Sequence, residues 1–238
     1  MIRCLALLLA LLTLLATPAR AALDHDGVND QVAHGDIAAI DGAAALTVCF
    51  WIKPDVLATA EGMAGKGYAL LHRTGGADSA LLEVYTSNVP ERGDVGSMFV
   101  NGTWVHVCSV FNGAGAGNDT RLLIYKNGVA QVVSFTGTIQ ATLPDAGATE
   151  FIMGFNAAAT GYIDAQIAHV KVWTAALSAA EVYNEMNTQR PQRTANLILW
   201  APYDDATSAR DYSGSGNNGT VTGATQSAGP PVSYGGRQ

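Results

Sequence analysis

Six glutamates, Glu61, Glu83, Glu91, Glu150, Glu181 and Glu185, are the first candidates for acid–base chemistry in this sequence. Retaining glycoside hydrolysis needs two carboxyl groups about 5 Å apart, which a strand supplies through acidic residues two positions apart on one face. None of the six has an acidic residue at that spacing. A serine hydrolase needs Gly-x-Ser-x-Gly, and Ser213-Gly214-Ser215-Gly216 is out of register for it. The run Ala60-Glu61-Gly62-Met63-Ala64-Gly65-Lys66-Gly67 mimics a phosphate loop but lacks the first glycine and the closing Ser or Thr. His25, His34, His72 and His169 have no partner four residues away and no nearby cysteine, and His106, beside Trp104 and Cys108, reads as a strand residue rather than a zinc ligand. The expectation is a protein that is not an enzyme.

Asp24, Asp26 and Asp30 fall within a few residues of one another, and an oxygen-rich cluster of this kind suits a hard cation. Asp24-x-Asp26-Gly27-x-x-Asp30 lacks the spacing and closing glutamate of an EF-hand, so the segment reads either as a turn alone or as a turn that also holds calcium.

The amino terminus bears on how the cysteines are read. Arg3, an uncharged apolar stretch over 4–16 and Ala19-Arg20-Ala21 make a signal peptide of residues 1–21, too short in its apolar part to span a bilayer. The expected protein is therefore secreted, extracellular or periplasmic, without membrane insertion. In that setting Cys49 and Cys108, each inside a strand-like run, are most simply a disulfide, with two buried free thiols as the alternative. The chain carries 13 Lys and Arg against 20 Asp and Glu with no basic run, which leaves no electrostatic footprint for nucleic acid or an anionic membrane surface.

These side chains are held by elements with a period of two. Val, Ile, Phe, Tyr and Trp runs, cut by glycine and asparagine, predict strands at 45–53, 67–72, 80–86, 95–100, 104–111, 149–155, 161–173 and 195–203. A hairpin turns at Asn127-Gly128 within 122–133. One short helix over 179–187 is predicted by Ser178 as N-cap with Glu181 three residues on. The fold class is all-β, a β-sandwich or barrel with one short helix, spanning 22–225 and followed by a loose tail over 226–238.

The ordered succession Leu23-Asp24-His25-Asp26-Gly27-Val28-Asn29-Asp30, Leu46-Thr47-Val48-Cys49-Phe50-Trp51, Gly102-Thr103-Trp104-Val105, Tyr125-Lys126-Asn127-Gly128, Gly161-Tyr162-Ile163-Asp164 and Val170-Lys171-Val172-Trp173 through Leu177-Ser178 resembles the laminin G-like, concanavalin A-like jelly roll. The resemblance covers nearly all of the chain after residue 21. It implies a two-sheet antiparallel β-sandwich that serves as a carbohydrate-binding, lectin-like module, or as an adhesion or structural domain that binds a cell-surface protein. The missing pair of spaced carboxylates makes the expected module non-catalytic.

Two features resemble the pentraxin branch: a disulfide between the two blocks that hold Cys49 and Cys108, and a strand after the helix, here Asn196-Leu197-Ile198-Leu199-Trp200. The acidic cluster that holds paired calcium ions in pentraxins is missing, because Phe155-Asn156-Ala157-Ala158-Ala159-Thr160 has no carboxylate. The Asp211-to-Gly219 segment resembles a loop of bacterial laminin G-like modules instead. The wider resemblance implies one structural Ca2+ held by Asp30 and Asp164. A sugar face needs aromatic rings with amides and acids beside them, and the candidates from strand ends and loops are Tyr68, His72, Tyr85, Phe155, Asn156 and Tyr162. Trp51, Trp104, Trp173 and Trp200 are expected in the core.

Overall fold

A computed structural model describes residues 21–76, 78–87, 91–155 and 161–232. Residues 1–20 of the expected signal peptide, Asn156 and the last residues of the expected tail lie outside these. The first half forms β1 (Ala21–Asp26), β2 (Gln31–Ala33), β3 (Ala45–Val56), β4 (Glu61–Lys66), β5 (Ala69–Thr74), β6 (Leu82–Tyr85), β7 (Arg92–Val95) and β8 (Val105–Asn112), then a single helical turn α1 (Asn118–Arg121). The second half adds β9 (Leu122–Lys126), β10 (Val129–Ala130), β11 (Ser134–Thr136), β12 (Phe151–Met153), β13 (Gly161–Tyr162) and β14 (Asp164–Trp173). Helix α2 (Ala179–Met186), β15 (Leu197–Ala201), β16 (Thr220–Thr222) and β17 (Thr225–Ala228) complete the described chain.

One sheet has the order β10-β9-β8-β3-β14-β1-β17, with β15 beside the second half of β14. The other runs β11-β7-β6-β5-β4-β12-β2-β16, with β13 against β4. The two sheets pack as an all-β sandwich of the jelly-roll kind. Among the described residues no helix is long and apolar enough to cross a membrane.

The period of two places Leu46, Val48, Phe50 and Ile52 of β3 between the sheets, and Thr47, Cys49 and Trp51 on the opposite face. In β14 the inward set passes from Ala165 and Ile167 to Val170 and Val172, because a bulge between Ala168 and Lys171 inserts one residue and His169 there takes a φ of +51°. The outward face of these strands is covered too. Cys49, Cys108, Val110, Tyr125 and Trp173 pack beneath Leu177 and Val182 of the α2 segment. Ser178 caps α2 and exchanges bonds with Glu181 in the capping box read from the sequence.

Under this helix Lys171 Nζ donates to the Glu185 carboxylate (2.8 Å), the Glu185 carbonyl (3.0 Å) and the Thr188 carbonyl (2.8 Å). The other Glu185 carboxylate oxygen accepts the amides of Gln192 (2.7 Å) and Arg193 (2.8 Å). Both charges are buried and almost every donor has an acceptor, the arrangement a buried ion pair needs to offset desolvation.

Most predicted strands are present. Asn127 (φ +49°) and Gly128 (φ +76°) form the expected hairpin turn with left-handed backbone at both positions. The strand expected at 95–100 lies instead at Arg92–Val95. Met98 and Phe99 are apolar because they plug the core from a loop, with their amides on the Ala80 carbonyl. The run 60–67 is no loop but β4, a strand buried throughout. Strand β17 pairs with β1 from Ala21↔Ala228 to Asp24↔Thr225, which carries sheet pairing three residues beyond the domain end expected at 225. Trp173 and Trp51 are buried as expected, whereas Trp104 and Trp200 are only half-buried: Trp104 lies just before β8 against the outward cluster of Trp51 and Ala168, and Trp200 is on the outward face of β15.

Cys49 and Cys108 stand opposite each other on β3 and β8 and are joined as a disulfide. It closes a loop across a sequence separation of 59, worth roughly 4 kcal/mol by constraint of the unfolded chain. Cys49→Ala/Cys108→Ala is expected to lower the urea-unfolding free energy by about 2–4 kcal/mol. Lys171→Met, which strands the Glu185 carboxylate in the interior, is expected to cost about 3–5 kcal/mol in the same measurement. A loss below about 1 kcal/mol for the lysine variant would show that Glu185 reaches solvent.

Candidate functional site

The end of β1 and the start of β14 meet at one end of the sandwich. Asp26 stands opposite Asp164 across these strands, and Val56 at the end of β3 lies on the other side of Asp164. Asp24, Asp26, Asp30, Asp55 and Asp164 surround a cavity of about 360 Å³. Its shape comes from a turn: Asp26 Oδ1 accepts the Val28 amide (2.9 Å), and Asp30 Oδ2 accepts the Asp26 amide (3.0 Å). Gly27, at φ +74°, lets this turn lie directly on Asp164, since a Cβ there would sit 3.0 Å from the Asp164 Cβ.

The electrostatics of this end are one-sided. Burial raises the carboxyl pKa of Asp24, Asp30, Asp164 and Glu61 above the ordinary carboxylate range. Mutual repulsion adds to it: Asp55 acts on Asp24 and Asp164, Asp26 acts on Asp30, and Asp164 acts on Glu61. Lys53 opposes the shift at Asp24. The donor set is all oxygen and fits a hard cation in chemistry. Among the described residues, however, no three acidic, histidine or cysteine side chains already converge on one coordination point. Asp30 and Asp164 share the cavity without forming a finished metal site.

Phe155 and Tyr162 stand beside this end, half-buried, with their rings stacked 4.2 Å apart at 19°. Gly154 ties them to it. At φ +85° it presses on the His25 ring so closely that a Cβ would meet it at 2.4 Å, while its amide bonds the Met63 carbonyl and its carbonyl takes the Ile163 amide. The sequence candidates Asp30, Asp164, Phe155 and Tyr162 are thus brought together.

Tyr68 and Tyr85 lie elsewhere, on the outward face of the second sheet, with ring centroids 5.9 Å apart. Tyr85 sits between two guanidinium groups, Arg73 at 4.7 Å and Arg92 at 5.4 Å from its ring. Its hydroxyl accepts from Arg73 and donates to Glu83 (3.2 Å). At 7% exposure the Tyr85 ring is closed off rather than offered as a stacking surface. Glu83 and Asp94 face each other across β6 and β7, but each carboxylate is tied to an arginine, Glu83 to Arg73 (2.7 Å) and Asp94 to Arg92 (2.8 Å). His72 cannot touch a ligand. Because Arg73 points outward, its neighbour His72 points inward, where its Nε2 meets Ser109 Oγ (2.9 Å) and its ring stands edge-on to Phe50.

The sequence profile of the laminin G-type family in the concanavalin A-like lectin/glucanases superfamily matches residues 26–183. A candidate carbohydrate-binding protein from Bacteroides ovatus superposes with a TM-score of 0.71 at 16% identity, over 91% of this chain and 62% of its own. This chain therefore spans somewhat under two thirds of that protein's length. A heptameric SAP-like pentraxin from Limulus polyphemus superposes with a TM-score of 0.52 at 14% identity, over 89% of this chain and 96% of its own. At these identities the likeness is one of fold. No curated protein sequence matches the chain.

All five histidines are buried, and burial lowers their pKa to about 4 for His25, His34 and His72 and about 3 for His106 and His169. The unfolded chain binds these protons near the ordinary histidine value of 6.5, so histidine-linked stability is complete above that pH and is lost as the pH falls from there toward 4. Thermal unfolding is expected to show a melting temperature that drops steadily between neutral pH and pH 5; a flat profile would contradict it. The acidic end has the opposite sign, since a raised carboxyl pKa makes the folded state less stable as pH rises through it. In metal-free buffer Asp164→Asn is expected to raise the melting temperature at neutral pH, a gain that vanishes once the carboxylates are protonated.

Proposed function

The chain belongs to the concanavalin A-like lectin/glucanases superfamily, and on that footing we propose that it is a secreted, non-catalytic carbohydrate-binding module whose ligand sits at the acidic end. The observation that carries the proposal is the Phe155–Tyr162 pair beside a cavity rimmed by carboxylates. Ring faces stack on the C–H face of a pyranose, and carboxylate oxygens accept its hydroxyls. Export is supported by the disulfide, which persists in an oxidising compartment. The non-catalytic reading is supported by the state of Glu83 and Asp94, the facing carboxylates of β6 and β7, which are held as ion-pair partners of arginine.

Calcium belongs to the same proposal. A hard cation at the acidic end would offset the mutual repulsion of Asp24, Asp30, Asp55 and Asp164 and bridge the first strand to a late one, after the side chains of Asp30 and Asp164 rotate toward a common point. Binding only to the folded state stabilises it by about 2.7 kcal/mol at a hundredfold excess over Kd.

A glycan array with and without calcium tests the reading. The expected result is binding to at least one glycan that weakens about tenfold, or 1.4 kcal/mol, in Tyr162→Ala. Calcium is expected to raise the melting temperature of the wild type and not that of Asp164→Asn, and EDTA to reverse it. A melting temperature indifferent to EDTA and calcium removes the metal from the proposal. Release of reducing sugar from a polysaccharide panel removes the non-catalytic part.

A further inference from the structure

Trp200 projects from the outward face of β15, because Leu199 and Ala201 beside it enter the core. It stands opposite Lys171, seven residues along β14 from Asp164, which places it roughly 20 Å from the acidic end. With Gln189, Arg190, Pro202, Asp204 and Tyr212 it encloses a cavity of about 220 Å³. Drug-sized sites begin at roughly 300 Å³, so this one admits about a single ring.

The Asp211-to-Gly219 loop builds the aromatic wall of this cavity. Asp211 accepts the Trp200 amide (3.0 Å), the Ser213 amide (2.8 Å) and the Asn217 amide (3.0 Å), and the Tyr212 amide donates to the Trp200 carbonyl (2.8 Å). The Trp200 and Tyr212 rings are held 5.5 Å apart at 51°, with the Arg210 guanidinium 5.1 Å over the Tyr212 ring. Two polar atoms of these residues are buried without a partner, the donor Trp200 Nε1 and the acceptor Gln189 Oε1, the latter on a side chain only 4% exposed. The aromatic wall calls for a ligand with an apolar face, and a rotation of Trp200 and Gln189 that turns this donor and acceptor into the cavity would suit groups that both accept and donate. Sugar hydroxyls do both. Arg190 and Asp204 on the rim have opposite charge, which suits a neutral ring better than an ion.

We propose that this cavity is a second carbohydrate subsite, separate from the acidic end, that takes one neutral pyranose ring between Trp200, Tyr212 and Gln189. The choice of a sugar over another neutral polyol rests on the carbohydrate-binding reading above; the site rests on its own residues. The test is a titration of the ¹⁵N-labelled full chain with the methyl glycosides of glucose, galactose, mannose and N-acetylglucosamine, followed on the tryptophan indole N–H signals, with Trp200 assigned through Trp200→Phe. For at least one glycoside the Trp200 signal is expected to shift saturably, with a Kd on the order of 1 mM. Tyr212→Ala, at a largely solvent-facing position, is expected to weaken that response at least tenfold, and Tyr162→Ala to leave it unchanged. A Trp200 signal unmoved by every glycoside, or moved equally in Tyr212→Ala, overturns the subsite. If that happens while Tyr162-dependent binding persists on the glycan array, the second subsite alone fails; a Trp200 response without Tyr162-dependent binding keeps it and fails the acidic-end reading.

Discussion

Strands β3 and β14 bury side chains on both faces, and everything else in the molecule is arranged around that demand. Their inward residues meet the second sheet, but Cys49, Trp51, Lys171 and Trp173 point the other way and need a third layer. Helix α2 and the segment after it supply the layer, and the Lys171–Glu185 pair fastens it. An ammonium group in that position is unusual because its desolvation is large. It is tolerated because two carbonyls and a carboxylate surround it while the carboxylate is itself held by two amides. The disulfide lies beneath the same layer and joins β3 to β8, two of the strands that the α2 segment covers.

The same strand pair also sets where ligands meet the protein. Beyond the reach of α2, the start of β14 emerges beside β1 and the end of β3, and acidic side chains from all three crowd one rim. Partial burial, and after it mutual repulsion, raises the pKa of carboxylates gathered this way, a strain tolerated at a rim that solvent reaches. At the other end β15 replaces β1 as the neighbour of β14, and its outward Trp200 lies against the Asp211 loop and beside Gln189 and Pro202. Both candidate ligand sites are therefore places where the third layer stops.

The two sites differ in how they are built. The acidic end depends on glycines: Gly27 and Gly154 allow backbone to press against Asp164 and the His25 ring, where any side chain would collide. The Trp200 cavity depends on a carboxylate, Asp211, that accepts several amides of its own loop and so holds Tyr212 in place. The first device bridges the two sheets at their rim, where Gly154 after β12 meets His25 of β1, and the second lies on the outward face of β15, so both carry function on a common scaffold.

Local pattern was enough for most strands, the Asn127-Gly128 hairpin and the capped helix, because alternation, turn chemistry and capping act over a few residues. The turn at Asp26 and Asp30 was legible for the same reason. The pairing of Cys49 with Cys108 was legible only through the expected oxidising compartment and the even cysteine count, and the sandwich through the ordered family motifs. Which face an apolar or aromatic residue occupies was not. His72 and Tyr85 sit in strands of similar composition, yet one is sealed against Phe50 and the other lies under two arginines, a difference made by sheet register alone. Met98 and Phe99 look like a strand and are a core-filling loop, while Trp200 looks like core and lines a cavity. The meeting of Phe155 and Tyr162 with Asp30 and Asp164, and of Trp200 with Gln189 and Tyr212, depends on strands far apart in sequence becoming neighbours. That is a property of the closed sheets, and no window along the chain contains it.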